Sequence, residues 1–264
     1  TNLGYTRGDF NNYNASLSGN YRNKKMNTFG SYNFNKGHGS NFFNLYREQV
    51  GLEYDQRNPN ENKHESHNFK LGNDFFINDK NTLGFLFNGY QSDYEWSSNS
   101  RMHIRPVGAA ASDSTLFANS RSEGLRSNYN FNLNYRFDNG KGTIWNVDTD
   151  YGFFKNDNDN LNPNRMFTGA GGQGSELLGE EIFRTLAPTD IDIYTMKLDH
   201  ERPLLKGQLS AGLKFSYVST DNDFRFYNVI NGEDVTDIEP TNRFVYTKNV
   251  NAPYGNFPRQ FGKF

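Results

Sequence analysis

Residues 125–137 alternate without a break between two kinds of side chain. Leu125, Tyr129, Phe131, Leu133, Tyr135 and Phe137 stand at odd positions with a single Ser127. Arg126, Asn128, Asn130, Asn132, Asn134 and Arg136 fill the even ones. Successive side chains on an extended strand point to opposite faces, so this segment has one apolar, aromatic face and one wet face. A chain that repeats this pattern is confined to half-wet β-structure, and this one repeats it.

Tyr13, Ala15, Leu17, Gly19 and Tyr21 oppose Asn12, Asn14, Ser16, Ser18 and Asn20. The polar turn Asn23-Lys24-Lys25 follows, and Met26, Thr28, Gly30, Tyr32 and Phe34 lead back. Phe69, Leu71, Phe75 and Ile77 run into a turn at 78–81, and Leu83, Phe85 and Phe87 lead away. The 125–137 strand meets 138–141 and returns through Trp145, Val147, Tyr151 and Phe153. Tyr194, Met196 and Leu198 meet 203–206, and Leu209, Ala211, Leu213, Phe215 and Tyr217 return. A last strand begins at Phe244 and is expected to stop near Gly262 and Lys263, with Pro253 and Pro258 weakening its pairing because proline lacks a ladder donor. Turn chemistry between alternating runs reads as hairpins, and about nine strands result.

The stretches 56–63, 97–122, 156–188 and 221–242 show no such period and read as long irregular loops. Short turns therefore alternate with long connections, as they do between the periplasmic and outer sides of outer-membrane barrels. Tyr21, Phe75, Phe76, Tyr135 and Phe137 sit beside the short turns, where an interfacial aromatic girdle belongs. The alternative, a soluble sandwich packing its aromatics in a core, needs neither the asymmetry nor aromatic faces along whole strands.

Composition agrees. A mean hydropathy of −0.89 alone suggests a disordered chain, but 16% of residues are aromatic, which disordered segments are not. One-sided strands reconcile the two. The residues contain no apolar run long enough for a membrane helix and no basic-then-apolar leader. The absence of cysteine excludes disulfides, thiolate metal sites and a cysteine nucleophile. A net charge of −2 leaves no electrostatic footprint for nucleic acid.

Motifs with chemical potential are few. Asp157-Asn158-Asp159-Asn160 opens like a calcium loop but has Asn162 and Thr168 where such a loop needs Gly and Glu, so it reads as a solvated loop tip. His64, Glu65 and His67 do not converge, because on a strand residue 64 opposes the other two. Residues 169–174 (Gly-Ala-Gly-Gly-Gln-Gly) lack the Lys-Ser/Thr ending of a phosphate loop. Asp148 and Asp150 share a wet face, as a glycosidase pair would, but no nucleophile or histidine lies near them in sequence. No catalytic constellation, metal site or cofactor is expected. The wet faces are the better candidates for ligand contact: Asn128, Asn130, Asn132, Asn134 and Arg136; Asn146, Asp148 and Asp150; Ser210, Lys214 and Ser216. Such side chains line polar lumens and hydrogen-bond to ligands, or simply hydrate the lumen.

Four segments carry a resemblance. They are residues 13–34 (beginning Tyr-Asn-Ala-Ser-Leu-Ser-Gly-Asn-Tyr), 75–84 (Phe-Phe-Ile-Asn-Asp-Lys-Asn-Thr-Leu-Gly), 129–135 (Tyr-Asn-Phe-Asn-Leu-Asn-Tyr) and 244–252 (Phe-Val-Tyr-Thr-Lys-Asn-Val-Asn-Ala). In this order, across nearly the whole chain, they resemble the outer-membrane β-barrel family of Bacteroidota allied to TonB-dependent receptors. The resemblance implies an all-β, antiparallel transmembrane barrel. Residues 1–264 would form one segment of a larger barrel of about 22 strands, without the family's plug and N-terminal domain. It implies a non-enzymatic protein that binds and imports a nutrient. Its partners would be membrane lipid, lipopolysaccharide, a TonB energy-coupling complex and a surface lipoprotein. The competing expectation is a structural or assembly barrel that binds a partner protein or lipoprotein through its loops; a soluble β-sandwich adhesin is a third, and it predicts extraction from cells without detergent. Phe264 as the aromatic end of a complete barrel is the lesser alternative to a chain that continues.

Overall fold

The computed structural model describes residues 1–258, and the expected turn at Gly262 and Lys263 and the end at Phe264 lie outside them. These residues form eleven strands: β1 (Asn2–Arg7), β2 (Asn11–Arg22), β3 (Met26–Gln49), β4 (Leu52–Asn78), β5 (Asn81–Pro106), β6 (Ser114–Asp138), β7 (Ile144–Thr168), β8 (Leu177–Leu186), β9 (Thr189–Leu204), β10 (Gly207–Ile230) and β11 (Glu233–Asn256). All join one antiparallel sheet in sequence order. β7 pairs with β9 along its first half and with β8 along its second, and β10 does the same from the other side. β8 and β9 are thus collinear, two parts of one stave broken at Ala187 and Pro188.

All nine expected strands are present, and the two not foreseen are the short β1 and β8. The larger correction concerns the loops. Residues 56–63, 97–106, 114–122, 156–168 and 221–230 lie inside strands, with β4 to β7 each running about twice as far as the alternation suggested. The Asp157–Asn160 stretch is likewise mid-strand in β7, not a loop tip. Two of the far ends close in tight turns, while β5–β6 and β7–β8 are joined by the longer segments 107–113 and 169–176. Val50 with Gly51, and Asn231 with Gly232, both adopt positive φ, the pattern of a two-residue hairpin turn. At the near ends the turn at 203–206 narrows to Leu205 and Lys206, also at positive φ.

Directly paired residues in an antiparallel ladder share a face, so the registers assign every side chain. Call the face of Phe131 and Leu133 outer. It carries Tyr32 on β3, Leu71 and Phe75 on β4, Phe85 and Phe87 on β5, Val147 and Tyr151 on β7, Tyr194 and Met196 on β9, and Leu213 and Phe215 on β10. Among the described residues no hydrophobic side chain is buried; Leu71 is 52% exposed, Leu133 51% and Phe215 46%. A sheet with an apolar face and no core to cover it is stable only where that face meets lipid.

Two aromatic bands bound this face. One crosses the sheet ring to ring through Phe69–Phe87 (5.3 Å), Phe87–Phe131 (4.6 Å), Phe131–Tyr151 (6.2 Å), Tyr151–Tyr194 (4.7 Å) and Tyr194–Tyr217 (6.2 Å). Two hydroxyls at this level find polar partners, Tyr129 donating to Gln91 and Tyr151 to Asp192. The other lies beside the short turns: Tyr21, Phe75, Tyr135, Phe137 and Trp145. Phe76, expected in that girdle, faces inward instead, under the Arg22 guanidinium, because its even position on β4 opposes Phe75. From Tyr129 to Phe137, at a rise of about 3.4 Å per residue and a tilt of about 40°, the zone that the two bands enclose, bands included, is about 20 Å high, close to the apolar height of an outer-membrane barrel.

Above the upper band the strands continue for about 40 Å more on the same arithmetic. There the outer face turns charged: Glu53, Asp55, Arg57, Glu61, Lys63 and Glu65 on β4; Asp93, Glu95, Arg101 and Arg105 on β5; Arg121 and Glu123 on β6; Lys155, Asp157, Asp159 and Arg165 on β7. Ion pairs cross-link it, including Lys36–Glu65 (2.8 Å), Lys63–Glu95 (3.3 Å) and the Arg184 fork shared by Asp159 and Asp234. The inner face of the same stretch is almost uncharged. Arg126 is the one ionic side chain (histidine aside) among Asn58, Asn60, Asn62, Ser92, Tyr94, Trp96, Ser98, Ser120, Ser122, Asn156, Asn158, Asn160 and their neighbours on β4–β7.

β11 breaks the pattern. Its register with β10 sets Asn249 and Asn251 outward, opposite Tyr217 and Phe215, and turns Phe244, Tyr246, Val250, Ala252 and Tyr254 inward. Pro253 sits within it opposite Leu213, on the sheet's last strand, where a missing donor is tolerated.

Candidate functional site on the inner wall

Below the upper aromatic band, the inner faces of β6, β7, β9 and β10 gather the polar residues expected from the sequence. Asn132 is the hub. Its Nδ2 donates to Asp148 Oδ1 (2.6 Å) and to Asp150 Oδ1 (2.7 Å), and its Oδ1 accepts from Asn134 Nδ2 (2.9 Å). Thr195 on β9 donates to the second oxygen of Asp150 (2.8 Å). Charge-assisted bonds of this kind are short and hold both partners in place. The network fixes two carboxylates on one amide, an arrangement that presents acceptors to a ligand.

Arg136, nearer the short turns, donates to Asp138 (3.0 Å) and to Asn146 (3.4 Å). Asn130 stays outside the network, opposite Gly152. Lys214 is brought to the site from β10: Asn134, Asp148, Lys197 and Lys214 form one cross-strand row on the inner face. Lys197 pairs with Asp199 (2.8 Å), which also accepts from Tyr254. Lys214 has no ion-pair partner among the described residues, so the row ends in a free ammonium. Ser210 and Ser216 flank it at the same face.

Thr195, Lys197, Asp199 and Tyr254 were not anticipated. The first three were legible in principle, since they alternate with Tyr194, Met196 and Leu198 and must therefore share the wet face. Tyr254 was not, because the apolar face of β11 points the other way.

Elsewhere Gly72 offers the inner wall a flat place. The Phe29 ring lies where a Cβ would stand, 2.2 Å from Phe29 Cζ, and Lys70 Nζ sits 5.5 Å from the centre of that ring. His64 bonds Asn35 on the inner face (2.6 Å) while Glu65 and His67 lie outside, so the three do not share a site. The 169–174 glycine segment is a connection between β7 and β8 that closes over the fully buried Thr115, whose hydroxyl donates to the Gly169 carbonyl (2.7 Å).

A single uncovered sheet, two aromatic bands and a polar inner face define a transmembrane β-barrel wall. Residues 135–264 match the model of an outer membrane protein beta-barrel family, and with that match the chain is placed in the bacterial outer membrane. No curated protein and no solved structure matches the chain.

Proposed function

We propose that this wall belongs to a non-enzymatic, TonB-dependent receptor-like barrel that imports a nutrient across the outer membrane. The inner wall carries the reading. Asp148, Asp150 and Asn132 are held in one hydrogen-bonded set beside the free Lys214, and the wall above them presents amides, hydroxyls and exposed Trp96 with almost no charge. Pre-positioned polar groups with a few aromatics are what a ligand passage requires. The reading includes a larger barrel of about 22 strands, and the sheet supports more strands than those described. Its edges, β1 and β11, do not pair with each other among the described residues. Open edges do not occur against hydrocarbon, which supports further strands completing the wall. Membrane lipid and lipopolysaccharide cover the outer face in this reading, and a TonB complex and a surface lipoprotein act with it.

A structural or assembly barrel is the second reading, favoured by the tall ion-paired outer wall, which suits a protein partner. Accumulation of labelled sugars, peptides and ferric chelates in cells separates the two. Import predicts that one of these classes accumulates only with the intact gene, falls when a protonophore is added, and falls again in Asp148→Asn with Asp150→Asn. Accumulation unaffected by gene deletion for every class would contradict it.

A further inference from the structure

We propose an oxyanion-binding site on the outer face of the extracellular wall, formed by Arg57 of β4 and Arg101 of β5. The two residues are direct cross-strand partners on the same face. Like charges placed opposite each other in a sheet repel, and nothing in the ladder requires them there. Neither guanidinium donates a hydrogen bond among the described residues. Arg57 has only Asp55 at 3.6 Å, beyond hydrogen-bond range, and Arg101 only the Phe117 ring, 4.7 Å from its centre. The remaining arginines on this face of β4–β7 are spent: Arg105 on Glu53, Arg121 on Glu123 and Arg165 on Glu180.

Two adjacent planar forks with free N–H groups match the oxygens of a phosphate or sulfate group. On the same face uncharged Asn44 stands beside Arg57 as its β3 partner and uncharged Asn99 stands below Arg101, so an anion meets no carboxylate on those sides. His103 reads the local field: burial pushes its ring below the usual range, and Arg101, then Arg57 and Arg105, push it the same way against Asp55. Its Nδ1 contacts the Thr115 hydroxyl (3.0 Å).

Height identifies the source of the anion. Arg57 lies twelve residues beyond Phe69 of the upper aromatic band, about 30 Å above it at the tilt of such barrels. Phosphates at the headgroup level are out of reach, so the ligand comes from the aqueous medium, as a free oxyanion or as a phosphate or sulfate group on a soluble molecule.

Ring NMR of the protein with its complete barrel in nanodiscs, following the five histidines of these 264 residues, tests this with inorganic phosphate at constant ionic strength. The expected result is that phosphate raises the apparent pKa of His103 alone, with affinity at least tenfold weaker in Arg57→Gln and in Arg101→Gln, and intermediate in Arg101→Lys. Strand content by circular dichroism confirms that each variant is folded. Equal movement of all five histidines, an unchanged response in the double variant, or no response overturns the site. Nanodiscs with and without phosphorylated lipid supply the other arm: a His103 shift produced by the lipid alone overturns the soluble source.

Discussion

On β6 and β7 the outward side chains from the short turns up to and including the upper aromatic band are Tyr129, Phe131, Leu133, Tyr135, Phe137, Trp145, Val147, Thr149, Tyr151 and Phe153; above it they include Glu123, Arg121, Asp157, Asp159 and Arg165. The inward side chains change in the opposite sense, from Arg136, Asp148 and Asp150 below to Asn156, Asn158, Asn160, Ser120 and Ser122 above. The strands are continuous through the band, so backbone geometry cannot account for the exchange. The surroundings can. Lipid excludes charge from the outer face below, and the lumen takes it; in water the outer face accepts ion pairs, and the inner face is left to neutral hydrogen-bonding groups.

This contrast breaks most visibly under one substitution made in both zones. Leu133→Arg places a cation at the lipid-facing centre and should cost about 2–4 kcal/mol in unfolding from vesicles, whereas exposed surface changes usually stay within about 0.5 kcal/mol. Leu125→Arg, on the outer face above the band between Asp93 and Asp157, should therefore not destabilise the protein. Equal effects at the two sites would remove the distinction between the zones.

The inner network ranks next. Asn132→Ala strips the shared donor from Asp148 and Asp150 and should destabilise the wall by about 1–3 kcal/mol, since it leaves half-buried acceptors unsatisfied. Asn130→Ala, outside the network, serves as its control. Denaturant midpoints at matched slope decide between them.

At the far tips the effect is one of pH. The backbone N–H of Gly108 (3.0 Å) and then the Arg105 guanidinium (2.6 Å) hold the Glu53 carboxyl below its ordinary range. A carboxyl with a lowered folded pKa adds stability above its unfolded value, and that contribution is lost as pH falls through the folded one. The Gly108 amide at the β5–β6 tip should thus lose protection, relative to its intrinsic exchange rate, in acid below the ordinary carboxylate range, and Glu53→Gln should abolish that loss. The smallest effect belongs to the exposed ion pairs. Lys63→Met should change stability by less than about 1 kcal/mol, and less still at high salt.

The same contrast explains what the sequence disclosed. Below the band one face must be apolar, so period two is printed in residues such as 125–137, and both the hairpins and the wet-face residues Asn132, Asn134, Asp148 and Asp150 were legible. Above it neither face needs apolar residues. Stretches such as 56–63 and 156–168 therefore look like loops although they are paired strands held by ladder bonds and ion pairs. Asn231-Gly232 was the local sign that 221–242 is a hairpin. Lys214 was recognisable as inward, but its place in a row with Asp148 and Lys197 depends on long-range register, which no single strand reveals. The inversion of β11 depends on register too, because a one-residue slip would exchange its faces.

The central claim is that the lipid-facing zone begins at the short turns and ends at the upper aromatic band. The chain has no native cysteine, so single cysteines along β6 report their own surroundings. In folded, vesicle-embedded protein, cysteines at 131, 133 and 135 should resist a water-soluble maleimide, those at 130, 132 and 134 should react, and those at 121, 122 and 123 should react at both parities. Rapid labelling at 131 and 133, or alternation that persists unchanged through 121–123, would contradict the claim.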